Sequence, residues 1–143
     1  MPKIIRYKAG HSPFAHMFFF QLCDTSRDLV EHFMDLCTKY LGGHPGQRHF
    51  SVGIRALEIN RDVSGTNFEV SVHMIFNSID DFNTYSASDS HEEFITQSAG
   101  MSPVRIVYDS YLMQEVLAGG PEVKATAKAK ALTGQGKAGR KTR

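Results

Sequence analysis

The stretch HMFFFQLC, His16 to Cys23, decides the fold. Its two alternating sets are His16, Phe18, Phe20, Leu22 and Met17, Phe19, Gln21, Cys23. Side chains alternate across a strand with period two, and both sets here are mainly apolar. A strand that is greasy on both faces must be covered on both. One layer of helices can cover one face. The other face needs a further partner, and a second copy of the same chain is the economical one.

The segments that follow supply the rest of the sheet. Asp24, Thr25 and Ser26 offer N-caps for a helix. Leu29, Val30, Phe33, Met34, Cys37, Tyr40 and Leu41 then recur at three- and four-residue spacing, one helical face, and Gly42-Gly43 ends it. FSVGIRALEI, Phe50 to Ile59, reads as a second strand, with Gly53 at a bulge or close approach. A polar loop, Asn60 to Thr66, turns into a third strand, Phe68 to Phe76. Its apolar face is Phe68, Val70, Val72, Met74 and Phe76, and its other face, Glu69, Ser71, His73 and Ile75, is mixed.

Ser78 with Asp81 resembles a capping box, followed by Ile79, Phe82 and Tyr85 at spacing three. The helix is expected to break around Ala87 to Asp89 and to restart on a second box, Ser90 with Glu93, with Phe94 and Ile95 opening its buried side. Val104 to Met113, rich in β-branched and aromatic residues, is the fourth strand. The order β-α-β-β-α-β is the ferredoxin-like arrangement within the α+β class: an antiparallel four-stranded sheet with helices on one face. Two such sheets packed face to face make a dimeric α+β barrel.

Composition sets the boundaries. The 143 residues suit one folded domain, placed at 15–115 between an N-terminal extension, 1–14, and a tail, 120–143. The formal charge of +1 hides an asymmetry, because Glu122 to Arg143 holds seven of the 16 basic residues and one of the 15 acidic ones. That tail has almost no large apolar side chains and reads as disordered. It could touch nucleic acid or another acidic surface, though no aromatic residue interleaves with its lysines. No apolar run approaches the ~18 residues of a membrane span, and the N-terminus lacks the apolar core of a signal peptide, so a cytoplasmic location is expected. Cys23 and Cys37 are too few for a disulfide framework and read as two small buried hydrophobes.

Several elements together resemble a known family, the stress-responsive dimeric α/β-barrel or Dabb domain. They are HMFFFQL after a short leader, the glycine of FSVGI, the FNS junction at Phe76 to Ser78, Tyr85 and His91 with Phe94 after them, and the aspartate of VYDSYL, Asp109. The likeness spans about His16 to Leu112. Ser90 stands where the family usually has proline.

The resemblance implies a stress-associated homodimer with an apolar cavity suited to a small hydrophobic ligand. Phe18 and Phe20 are then candidate ligand-binding residues, and His73, which has no family counterpart, joins them because the mixed face of the third strand could line the same chamber. Most members have no assigned activity. One plant member is a cofactor-free polyketide cyclase whose reaction is served by a histidine at the start of the first strand and by a tyrosine and a histidine six residues apart. Those positions match His16, Tyr85 and His91, the candidate catalytic residues.

The alternative to a ligand-binding protein is therefore a cofactor-free cyclase or lyase acting on an aromatic or polyketide-like substrate. His91 would be its general base, with Tyr85 and His16 beside it. Just inside a helix start, His91 meets the positive end of the macrodipole, which disfavours imidazolium, while Glu92 and Glu93 oppose that effect. The Tyr85 phenol could donate to a developing enolate oxygen, and its spacing equally makes it core. A monooxygenase is a more distant reading. His11, His32, His44 and His49 form no zinc-spaced set, and nucleotide-loop and triad motifs are missing from the sequence, so no metal or other cofactor is expected.

Overall fold

The computed structural model describes residues 1–118, and the basic tail lies outside them. The described residues form two compact units, Tyr7–Met113 and Met1–Arg6 together with residues 114–118. The smaller unit is a ribbon in which β1 (Lys3–Arg6) pairs antiparallel with β6 (Gln114–Leu117). Sequence patterning leaves Met1 to Ala15 without an element. A four-residue strand whose partner lies more than a hundred residues away has no local signature.

The larger unit is ferredoxin-like. Its strands are β2 (Phe14–Gln21), β3 (Gln47–Ile54), β4 (Val70–Phe76) and β5 (Val104–Tyr111), in the order β3-β4-β2-β5 with antiparallel neighbours. Helix α1 (Arg27–Leu41) joins β2 to β3, and α2 (Ile79–Ser86) and α3 (Asp89–Gln97) join β4 to β5. One face of the sheet carries Phe18, Phe20, Val70, Val72, Met74 and Phe76, all buried, against Phe33, Cys37 and Leu41 of α1, Tyr85 of α2 and Phe94 of α3. Each such side chain removed from water contributes about 1.5–3 kcal/mol.

The helix boundaries follow from side-chain chemistry. Ser26 caps α1, accepting from Leu29 N–H at 3.4 Å, and Gly43, at φ 77°, carries the chain away from its end. Ser78 caps α2, accepting from Asp81 N–H and donating to its carboxylate, both at 3.1 Å.

Other boundaries differ from the sequence reading. The cap of α3 is Ser88, not Ser90: Ser88 Oγ accepts from His91 N–H at 3.2 Å and donates to Tyr85 C=O at 2.7 Å. Ser90 instead donates to Tyr40 C=O at 2.6 Å, tying α3 to the end of α1, and Glu93 accepts from Gln97. Strand β3 stops at Ile54, leaving Leu57 and Ile59 exposed in the following loop, so apolar content there does not mean strand. Cys37 is fully buried, its thiol pushed up to about 12 by desolvation, whereas Cys23 is exposed rather than a core residue.

Candidate functional site

Strand register places the site. On the helix-covered face of β2, His16, Phe18 and Phe20 lie beside Asp109, Val107 and Arg105 of β5. Above them runs α3. Between the two layers opens a cleft of about 130 Å³, lined by His16, Phe18, Phe20, His91, Phe94, Arg105 and their neighbours. Two of the three candidate catalytic residues and both candidate ligand-binding phenylalanines therefore share one cavity.

His16 is only 5% exposed. Its Nδ1 is hydrogen-bonded to the Asp109 carboxylate, and its ring packs on Phe18 and Phe82 at centroid distances of 4.3 and 4.6 Å. Burial disfavours the imidazolium and Asp109 favours it; burial dominates, and the pKa lies below the ordinary value. A neutral His16 donates Nδ1–H to the carboxylate. That fixes the tautomer and leaves Nε2 as a proton acceptor.

His91 occupies the first turn of α3, its backbone N–H held by Ser88. Its pKa is lowered, first by burial and then by His16, Arg105 and His44, with Glu92 opposing. The competition at this position thus resolves toward neutral imidazole. The two histidines feel each other, and both are proton acceptors near pH 7.

Tyr85 takes another part. Its ring is 1% exposed, packed edge-on against His91 at 5.2 Å and His44 at 4.8 Å, and tilted against Phe76 at 5.1 Å. Its hydroxyl is buried without a hydrogen-bond partner among the described residues, and it does not line the cleft. Burial and nearby Cys37 push the phenol well above its ordinary pKa. Tyr85 packs behind the cleft lining, its ring against those of His91 and His44.

Contrary to the sequence reading, His73 does not line this chamber, because strand alternation sends it to the opposite face of the sheet. There it bonds Ser71 Oγ at 3.1 Å and meets Phe19 at 6.2 Å. No group of three or more metal-ligating side chains occurs among the described residues. Arg105, and the pairing of Asp109 with His16, were not anticipated. Both depend on the β2–β5 register, which joins segments some ninety residues apart.

This architecture defines a ferredoxin-like α+β domain with a histidine-bearing cleft between its sheet and its helices. Residues 14–112 match the Dabb family, the stress responsive A/B barrel domain, and the chain belongs to it. Among solved structures, it is similar to a dimeric ferredoxin-like protein of unknown function from Thermobifida fusca (20% identity, TM-score 0.59, covering 74% of this chain and 95% of that one). It is also similar to a Dabb family protein from Mesorhizobium loti (19%, TM-score 0.57, 69% and 95%). A hydroxynitrile lyase from Passiflora edulis shares the fold at 14% identity (TM-score 0.58, 71% and 94%). No protein of curated function matches the chain. No helix among the described residues is long and apolar enough to cross a membrane.

Proposed function

We propose that the protein is a homodimer that binds a small, largely apolar molecule in the cleft between β2, β5 and α3. One observation carries this reading: a cavity floored by Phe18 and Phe20 and roofed by Phe94 has two neutral imidazoles, His16 and His91, in its wall. Apolar lining with a few convergent polar groups is the usual character of a ligand site. The dimeric state of the Thermobifida relative supports the homodimer. On the same footing we place the protein in the cytoplasm, where the exposed Cys23 would stay reduced.

The His16–Asp109 couple favours a second reading, cofactor-free lyase or cyclase chemistry. A carboxylate that fixes the tautomer of a histidine is what a general base needs. His91 would take a proton from the substrate and give the same proton back to the product, His16 would accept a hydrogen bond from the substrate at Nε2, and Tyr85 would back the His91 ring. The lyase named among the structural neighbours fits that class of chemistry.

A thermal-shift screen with aromatic ketides and fatty acids tests the binding reading. A binder raises the melting temperature by mass action, and the His16 and His91 resonances should move with it. Failure of every compound class to stabilise the protein would remove the proposal. For a compound that turns over, His91→Ala should abolish the reaction while leaving the melting temperature within about 4 °C, the shift that ~1 kcal/mol would cause.

A further inference from the structure

Strand β5 turns alternate side chains toward the helices. Arg105 lies beside Phe20, Val107 beside Phe18 and Asp109 beside His16. The two charged residues are differently engaged. Asp109 is bound to His16. Arg105 lines the cleft and makes no hydrogen bond or ion pair with any described side chain. Four residues separate the two along the strand, a span of ~13 Å, so the carboxylate does not neutralise the guanidinium. Glu92, the carboxylate that His91 feels, is exposed on α3. An exposed cation thus stands at one end of an apolar cleft whose other titratable walls are histidines.

A guanidinium presents a planar fork of donors that matches a carboxylate in two parallel hydrogen bonds. The lining beside it, Phe20, Phe94 and Val107, offers only hydrocarbon. The volume of about 130 Å³ limits the apolar body. A protein cavity of ~150 Å³ holds one benzene ring.

We propose that the cleft selects a small monocarboxylate: Arg105 grips the carboxylate, and Phe18, Phe20 and Phe94 enclose a single ring or a short chain. This rests on the ligand-binding reading above and names the class of ligand. The carboxylate sits at the Phe20 end of the cleft, and the remainder of the molecule runs toward His91 and His16.

Phenylacetate and phenylacetamide share a shape and differ in charge. Both are titrated into the full-length protein at low salt and followed by amide chemical shifts, with Arg105→Gln and Arg105→Lys alongside. The wild type should bind the acid at least about tenfold tighter than the amide, the factor that a charge-assisted hydrogen bond supplies. Arg105→Gln should erase that preference, and Arg105→Lys, which keeps the charge but loses the fork, should keep only part of it. Equal binding of acid and amide by the wild type, or an undiminished preference in Arg105→Gln, would overturn the carboxylate site and leave the apolar cleft standing. Binding of neither compound would overturn this inference, while the ligand-binding reading would stand or fall on the thermal-shift screen.

Discussion

His16 and His91 are both held below the ordinary imidazole pKa, and the causes differ enough to test separately. At His16 burial works against Asp109. At His91 burial is joined by positive neighbours. Asp109→Asn removes the two influences that raise His16, so its pKa should fall further; proton NMR titration of the ring reads this directly. A rise would show that Asp109 does not hold this imidazole. The linkage to stability has a definite sign. The unfolded chain takes up protons near pH 6.5 at these positions and the folded chain does so only lower, a pattern that His73 shares. Stability is therefore full above about pH 6.5 and is lost as the pH falls through the lowered folded values. Melting curves between pH 8 and 5 should record that decline, and a flat profile would contradict it. At this scale His16, Tyr85 and His91 were legible through their family spacing. The spacing of Tyr85 left donor and core readings both open, and only packing shows that its hydroxyl is buried. Arg105 carried no signal at all, since an arginine in a strand pattern does not say which cavity it will border.

Just before β3, Gly46 lies close against α2. Its φ is +76°, and a Cβ there would lie 2.2 Å from Cγ of Asp81, the residue that completes the cap of α2. Gly46→Ala must both strain the backbone and displace that cap. Strain of this kind costs roughly 1–3 kcal/mol, and the clash adds to it. Gly65→Ala is the control, because nothing lies within 4 Å of its Cβ position. In urea denaturation the first variant should lose stability clearly and the second hardly at all; equal effects would refute the account. Element types were readable wherever a long apolar period existed, as in α1, β2 and β4. The boundaries failed where two residues of the same chemistry competed. Ser88 and Ser90 are both good caps, and tertiary contact with Tyr40 draws Ser90 away. The ribbon of β1 and β6 was illegible for a related reason, since its pairing is entirely nonlocal.

The whole molecule is governed by the face of the sheet that the helices leave uncovered. Met17, Phe19 and Ile75 are half-buried there, beside Ile106 at 38% and Tyr108 at 60% exposure, with Phe19 packed on Tyr108 at 5.9 Å. An antiparallel sheet that faces water on one side is normally polar on that side. This apolar patch is the doubly greasy character of HMFFFQLC seen from the other face, and a second copy is the partner whose matching face would cover it. Ile106→Asp puts a charge into the patch while the flanking Arg105 and Val107 still point to the cleft. The 16.0 kDa chain should sediment as a dimer, and the variant as a folded monomer. A wild type that stays monomeric at micromolar concentration would end the dimer proposal. Because cleft and patch occupy opposite faces of one sheet, the monomeric variant should keep its affinity for phenylacetate. Loss of that affinity along with the dimer would mean that the cleft is complete only when two sheets meet.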